Sequence, residues 1–518
     1  MRRLRSTSLL ASSLLLAALG ACADAGTNAG TLRYYLSADP VTLDPALSTD
    51  VQSGEVVTML FDNLVRFDED ARLQPGLATR WETDSTGAVY TFHLRSGVTF
   101  HDGRPVTAAD VQASVVRALA PGAKGGRQWP LLPIRGARAF AAGEASALAG
   151  VAVPNDSTIV FTLEEPLNIF PAFLAMPVAA IVPTPTPADF AQHPVGSGPW
   201  KFVSWSHDDA VLLARNDAYW GGAPKSDSIR IRIIPEALTQ AAEFEAGQLS
   251  IVEIPFSETQ RWEASHGDRL QRRPAIRDVY ISINTTKGPL KDPRVRRALN
   301  HAVDVETMLR TVMSGRGVRA AGSIPPGIVG HDSARAPYAH DPAAARRLLA
   351  EAGYPDGFPI RLWRSQRAEL ARIAQSVQQS LAEVGIRAEI VERDATSARA
   401  AARNGEADLF LSDWYADYPD PENFTYPLFH SRSKGPGGNY AFLDDPVLDS
   451  MIVRLRTTTD TVEKARLARA ADARIFEQAP WIFLWHPVDL WATQESLQGW
   501  KIPLVFTGQR WTEARLTR

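Results

Sequence analysis

The sequence predicts an α/β protein, because strand-like segments with alternating apolar and polar residues are mixed along the chain with amphipathic helical segments. Residues 90–95 alternate in this way, as a half-buried strand does. Residues 369–384 carry an apolar residue at every third or fourth position, which predicts a helix that Gly385 ends. Strand patterns at residues 386–391 and 408–411 follow this helix.

Three helix starts use the same pair of residues. In each, an Asp precedes a Pro, so a carboxylate can cap the first turn while Pro occupies a position that needs no N–H donor. The pairs are Asp292-Pro293, Asp341-Pro342 and Asp445-Pro446. Residues 107–110 add a Thr-x-x-Asp pattern that resembles a capping box. The four sites predict helices that begin at the residue after each cap.

Length and charge limit the classes of protein. A chain of 518 residues is too long for one hydrophobic core, which predicts two or three domains. The formal net charge is −3, so the chain has no strongly basic surface of the kind that binds nucleic acid. We therefore expect no nucleic-acid partner.

The first 22 residues resemble a bacterial lipoprotein signal. A basic segment at residues 1–5 precedes an apolar one at residues 9–19, which is too short to span a bilayer. Small residues then lead directly into Cys22, as in a lipobox. The resemblance implies a signal peptide at residues 1–21, a lipid anchor on Cys22 that holds the exported protein to a membrane, and a flexible tether over residues 22–30. The alternative is an ordinary signal peptide with a chance cysteine.

Catalytic motifs are missing from the sequence. It contains one cysteine, so lipidation of Cys22 would leave no thiol for a disulfide, a thiolate metal site or a nucleophile. It has no P-loop, no H-E-x-x-H and no G-x-S-x-G pattern. We therefore expect a protein that is not an enzyme and that has no cofactor or metal. The alternative, a secreted peptide hydrolase, would need a nucleophile–base pair or a metal.

Several ordered segments resemble the family 5 solute-binding proteins of ABC importers, the dipeptide- and oligopeptide-binding type. The segments are LFDNLVRF at residues 60–67, the run from residue 73 to residue 111 that contains GVTFHDG, GSGPW at 196–200, RNDAYW at 215–220, YISINT at 280–285, DPRVRRAL at 292–299, YPDGF at 354–358 and DWYADY at 413–418. The resemblance covers about residues 31–500.

The resemblance implies a two-lobed fold of the periplasmic-binding-protein type (type II, cluster C) with a ligand cleft between the lobes. Lobe I is expected at residues 31–271, with an extra subdomain at about 52–170. Lobe II is expected at residues 272–484, and residues 485–518 return to lobe I. The chain would cross between the lobes twice, and the lobes would close over a ligand by hinge motion.

Asp417 is the foremost candidate for a ligand contact. The resemblance implies that the Asp of the W-x-x-D segment pairs with the α-ammonium of a peptide, a charge-assisted hydrogen bond that is strong in a partly dried cleft. Trp414 and Tyr415 of the same segment would line the cleft. The alternatives are that Asp417 stabilises the Pro-rich turn that follows it, or belongs to a Ca²⁺ loop, although the spacing of an EF-hand is absent.

Three other residues are candidate ligand contacts. Arg367 or Arg364, just before the helix at 369–384, would bind a peptide carboxylate in a bidentate manner, or would be a solvated arginine at a helix start. Asn284 would face the cleft and bind the peptide backbone, or would form a turn.

The resemblance also implies the partners. The ligand would be a di- or oligopeptide, with a nickel chelate, an opine, glutathione or an oligosaccharide as alternatives on the same scaffold. The protein would be a monomer that delivers its ligand to membrane permease subunits, with a separate ATPase.

Overall fold

A computed structural model of the chain describes residues 30–123, 127–187 and 189–517. The predicted signal peptide, Cys22 and the predicted tether as far as residue 29 lie outside the described residues. No helix within the described ranges combines the length and the apolar character that a membrane span requires.

The first half of the chain alternates strands with short helices. In chain order these are β1 (Thr31–Leu36), α1 (Val51–Leu60), β2 (Val65–Phe67), β3 (Leu73–Pro75), β4 (Ala78–Thr83), β5 (Val89–Leu94), α2 (Ala108–Ala118), α3 (Ala137–Ala141), β6 (Val151–Asn155), β7 (Thr158–Thr162), α4 (Phe170–Phe173), β8 (Trp200–Ser206), β9 (Ala210–Arg215), β10 (Ser228–Ile233), α5 (Ala237–Glu245), β11 (Ile251–Glu253) and α6 (Thr259–His266).

The second half contains longer helices. In chain order its elements are β12 (Leu270–Pro274), β13 (Arg277–Ile283), α7 (Pro293–Ala302), α8 (Val305–Thr311), β14 (Gly317–Arg319), α9 (Pro342–Glu351), β15 (Pro359–Ser365), α10 (Ala368–Ala382), β16 (Arg387–Arg393), α11 (Ala395–Arg403), β17 (Leu409–Tyr415), α12 (Tyr426–Phe429), α13 (Pro446–Thr457), α14 (Thr461–Gln478), β18 (Trp481–Thr493), β19 (Leu497–Gln498) and β20 (Arg515–Leu516).

The predicted helix starts are confirmed. The carboxylates of Asp292, Asp341 and Asp445 each accept a backbone N–H from the first turn of α7, α9 and α13. At α2, the carboxylate of Asp110 accepts from the backbone N–H of Thr107 at 2.9 Å, as a capping box requires. Local sequence therefore determines where these helices begin.

The chain folds into two α/β lobes. We call lobe I the sheet in the order β1-β10-β9-β8 together with α1 and the C-terminal residues 497–517, which share one hydrophobic core. We call lobe II the sheet part β13-β17-β15-β16 with the helices from α7 to α11 around it. The extra subdomain is the antiparallel sheet β4-β5-β7-β6 with α2.

The long strand β18 connects the two lobes. Its first residues, from Trp481, pair with β13 of lobe II, and its last residues, up to Thr493, pair with β11 and β12. β12 and β13 lie where the sequence predicts that lobe II begins, at residue 272, and β18 spans the predicted return to lobe I at residue 485. Trp485 and His486 are buried in β18, which fits packing at the hinge rather than contact with a ligand.

The extra subdomain packs against lobe II as well as lobe I. Its hydrophobic core includes Ala416, Tyr418 and Phe424, which follow β17 in the chain. The two residues beside Asp417 are therefore held in a core that both parts of the molecule share, and Asp417 lies between them.

Candidate ligand-binding cleft

A cavity of about 750 Å³ lies between the two lobes. Lobe II contributes the carboxyl end of β17, the start of α10, the start of β13 and one face of α11. Lobe I contributes β1, α1 and the C-terminal segment. Because β15 runs parallel to β17, the end of β15 leads into the start of α10 beside the end of β17. This brings the regions of Arg367 and of residues 413–417 to one edge of the sheet.

Asp417 lines the cleft, and its carboxylate faces a cation of the extra subdomain. The Nη1 of Arg127, in the extra subdomain, lies 3.3 Å from its Oδ1. The Nε of Arg127 donates to the carbonyl of Thr49 at 3.1 Å, which orients the guanidinium. The backbone N–H of Asp417 donates to Oδ1 of Asn423 at 3.2 Å. The turn residues thus hold the backbone and leave the carboxylate directed at the cleft.

Burial destabilises the charged form of Asp417. It raises the pKa of this carboxyl above its usual value, and Arg127 and Asn423 offset only part of that effect. The free energy of such a carboxylate falls when another cation approaches, since the charge is then better compensated. An ammonium group of a ligand could supply that compensation.

Trp414 and Tyr415 also line the cleft. The indole Nε1 of Trp414 donates to Oδ1 of Asn423 at 3.0 Å, so the same amide fixes both Trp414 and the backbone of Asp417. Tyr415 is 48% exposed, and the guanidinium of Arg277 lies 4.9 Å from its ring centroid. These aromatic side chains offer apolar surface beside the charged groups.

Arg367 lies at the cleft and shares a carboxylate with a second arginine. Its Nη2 donates to Oδ1 of Asp413 at 3.1 Å, and Nη2 of Arg277 donates to Oδ2 of the same carboxylate at 2.6 Å. Burial alone would raise the pKa of Asp413, but the two guanidiniums outweigh it and lower that pKa. Two cations thus share one anion here, and Arg367 remains 47% exposed toward the cleft.

Two of the predicted contacts do not reach the cleft, which corrects the expectation for both. Arg364 is buried and pairs with the carboxylate of Glu392 on the neighbouring strand β16. Asn284 is 2% exposed; its amide donates to the carbonyls of Gly405 and Ala407, and its oxygen accepts from Thr286. Asn284 therefore forms hydrogen bonds within its turn, and Arg364 forms an ion pair within the sheet.

Several charged groups of the cleft were not predicted from the sequence, among them Arg127, Arg277 and Glu55. Arg277 lies directly across from Tyr415 in the β13–β17 register, so pairing the two predicted strands could have found it. Arg127 is 290 positions from Asp417, and no local pattern connects them. Glu55, on α1, accepts from the hydroxyl of Tyr34 at 3.1 Å, and burial raises its pKa to about 7.

The lobe I wall of the cleft is largely aromatic. The ring of Tyr34 lies 5.0 Å from that of Trp511, which lies 6.3 Å from Trp500, and Trp500 lies 5.6 Å from Trp491. All four side chains line the cavity. The cleft therefore has an aromatic wall on the lobe I side and a charged wall on the lobe II side.

Within the described ranges, no three His, Cys, Asp or Glu side chains are grouped so that they could hold a metal ion.

Comparison with known proteins identifies the family. The family described as "Bacterial extracellular solute-binding proteins, family 5 Middle" matches residues 72–436. The glutathione-binding protein GsiB of Pectobacterium atrosepticum is 34% identical over 460 residues, which are 86% of this chain and 86% of GsiB.

Solved structures show the same fold. DppA of Helicobacter pylori, an ABC transporter-associated periplasmic binding protein solved with the peptide STSA, superposes with a TM-score of 0.80 at 28% identity over 94% of this chain and 98% of DppA. AgaA of A. tumefaciens, solved with agropinic acid, gives a TM-score of 0.78 at 26% identity over 94% of this chain and 99% of AgaA. The chain belongs to family 5 of the bacterial extracellular solute-binding proteins, the extracytoplasmic binding proteins of ABC importers.

Proposed function

We propose that this protein is the lipid-anchored binding component of an ABC importer and that it captures a short peptide in the cleft, without turnover, for delivery to membrane permease subunits. The observation that carries the proposal is the incompletely compensated carboxylate of Asp417 in the cleft wall. It supports a ligand with a positive terminus, and the exposed Arg367 supports a negative one.

The spacing of these groups favours a short ligand. Arg367 contacts Asp413, which is four residues from Asp417 along the chain. Extended residues span at most about 3.5 Å each along the backbone, so the Cα atoms of the two aspartates are at most about 14 Å apart. An extended peptide of two to four residues would reach from one to the other. The aromatic wall of lobe I would cover its apolar side chains.

Glutathione is a second candidate ligand. It is favoured by the similarity to GsiB, which is a glutathione-binding protein. Glutathione also carries an α-ammonium and carboxylates on a tripeptide frame, so the same two ends of the cleft would hold it. It differs from an ordinary tripeptide in its γ-linked first residue and its second carboxylate.

Binding would favour the closed arrangement of the lobes. Asp417 belongs to lobe II and Arg127 to the extra subdomain, so contacts around Asp417 connect both sides of the cleft. A ligand that contacts both walls binds the closed form better and increases its population. The closed form would then dock on the permease, and a lipid on Cys22 would keep the protein near that membrane.

Isothermal titration with trialanine, a mixed dipeptide set and glutathione tests the proposal. We expect at least one of these ligands to bind and to be recovered intact by mass spectrometry after incubation. Cleavage of the peptides would indicate the hydrolase alternative, and failure of all three to bind would overturn the proposal.

For the anchor, Cys22→Ala is expected to move the protein from the membrane fraction to the soluble fraction.

A further inference from the structure

The helix α11 presents two arginines to the cleft. Its buried face is made of the small residues Ala398, Ala401 and Ala402, which pack with Trp363 and Phe410 of the sheet. Arg399 and Arg403 lie one turn apart on the remaining surface, and both line the cleft. The face of α11 toward the core therefore carries only small side chains, and the face toward the cleft carries positive charge.

Among the residues that the structure describes, the guanidiniums of Arg399 and Arg403 make no ion pair and no hydrogen bond. The nearby acids of lobe II form ion pairs with other arginines. Asp413 pairs with Arg277 and Arg367, and Asp417 pairs with Arg127. Lobe II thus presents more positive than negative charge to the cleft.

Local helix energetics do not account for this pair. Like charges four residues apart on a helix repel each other and destabilise it. Arg403 lies in the last turn, where the helix dipole favours a cation, but Arg399 lies in the middle of α11. A guanidinium presents a fork of N–H donors that matches a carboxylate, and two such forks one turn apart can hold one carboxylate between them.

We infer that Arg399 and Arg403 form a second carboxylate-binding site, so the cleft selects acidic peptides, which carry a carboxylate in addition to the C-terminal one. This inference rests on the proposed function and specifies its substrate class. Asp417 binds the ammonium, Arg367 binds one carboxylate, and α11 binds the other. Peptides with a neutral side chain in place of the acidic one leave Arg399 and Arg403 unpaired.

Matched peptides test the inference. The probes are three tripeptides with one Glu and two Ala, with Glu at each position in turn, and their three Gln counterparts, measured by isothermal titration. We expect at least one Glu peptide to bind the wild-type protein about tenfold or more tightly than its Gln counterpart, the effect of a charged hydrogen bond. In the Arg399→Gln/Arg403→Gln double variant, this ratio should fall to about one.

Arg372→Gln is the matched control. It makes the same Arg-to-Gln change, removing one positive charge where the double variant removes two, at an exposed position of another lobe II helix, α10. Because Arg372 is not part of the cleft wall, the Glu/Gln ratio should stay at its wild-type value. Thermal unfolding of the double variant should occur at a temperature no lower than that of the wild type, since both arginines are exposed and repel each other. A wild type that binds peptides without preferring Glu, or a double variant that keeps the preference, overturns this inference alone. If no peptide binds the wild type, the proposed function fails and the inference fails with it.

Discussion

Two shielded aspartates, Asp62 in lobe I and Asp417 in the cleft, have very different surroundings. The carboxylate of Asp62 is fully buried and accepts hydrogen bonds from four side chains, which are Arg510 at 2.7 Å, Trp220 at 2.9 Å, and Tyr219 and Ser197 at 3.1 Å each. The carboxylate of Asp417 is 20% exposed and lies 3.3 Å from its cation, Arg127. Burial still raises its pKa.

The contrast distinguishes an acid that stabilises the fold from an acid that is available to a ligand. Asp62 connects α1 to residue 510 near the end of the chain, and its acceptor positions are used. A ligand could not improve that environment. Asp417 is desolvated but incompletely compensated, so an incoming cation can lower its free energy. The predictions below test this difference.

The largest effect is expected for Asp62→Ala. The change leaves the buried guanidinium of Arg510 without its carboxylate, which should lower the free energy of unfolding by about 3–5 kcal/mol. Chemical denaturation measures the loss. The control is Asp217→Ala, which breaks the exposed pair with Arg215 and should cost at most about 1 kcal/mol. Equal losses in the two variants would contradict the structural role of Asp62.

Asp417→Ala should affect binding rather than stability. We expect the affinity for a peptide that binds the wild type to fall by about 1.5–3 kcal/mol, the value of a charged hydrogen bond. Isothermal titration gives the affinity, and chemical denaturation should show little loss of stability because the removed carboxylate was desolvated. Asp417→Asn keeps the shape without the charge and should lose nearly as much affinity. An unchanged affinity would remove Asp417 from the site.

A smaller effect is expected at the other end of the ligand. Arg367→Ala should weaken peptide binding by about 1.5 kcal/mol, because Arg367 is half-exposed and water competes for its hydrogen bonds. Arg364→Ala is the matched control, since Arg364 pairs with Glu392 away from the cleft and its loss should leave affinity unchanged.

Amidation of the peptide C-terminus identifies the group that Arg367 binds. If Arg367 pairs with the terminal carboxylate, an amidated peptide should bind the wild type and Arg367→Ala equally well, since the interaction is already absent. A difference that persists with the amidated peptide would show that Arg367 acts on another part of the ligand or on the structure of the cleft wall.

Much of the fold could be predicted from the sequence because the signals are local. The Asp-Pro caps of α7, α9 and α13 are determined by adjacent residues. The helix predicted at residues 369–384 forms as α10 over Ala368–Ala382, with Gly385 at a φ of 85° beyond its end. The small difference at its C-terminus reflects the last turn, where Glu383 is already the cap.

The site was less predictable because its charges come from distant parts of the chain. Asp417, Trp414 and Tyr415 could be named from the segment at residues 413–418, and Arg367 from its position just before the predicted helix at residues 369–384. The partner of Asp417, Arg127, could not, since only the packing of the extra subdomain on lobe II brings them together. The sequence leaves Asn284 open between a cleft contact and a turn, because no local pattern shows that the turn after β13 uses its amide.

The smallest effect is a pH dependence of stability caused by Glu55, another cleft acid. Burial raises its pKa to about 7 in the folded protein, whereas an unfolded chain has the ordinary value near 4.5. Between these values the folded state binds more protons, so the ligand-free protein should be more stable at pH 6 than at pH 8. After solvent screening, the contribution of Glu55 should be at most about 1 kcal/mol.

Chemical denaturation of the wild type and of Glu55→Gln at the two pH values measures this contribution. The amide cannot ionise, so the variant should gain stability at pH 8 and change less at pH 6, and the difference between the two pH values should shrink. The hydrogen bond from Tyr34 can still be accepted by the amide oxygen, which keeps the local contact. If Glu55→Gln were instead less stable at pH 8, the Glu55 carboxylate would stabilise the fold as Asp62 does, and the distinction between the two kinds of acid would not extend to lobe I's side of the cleft.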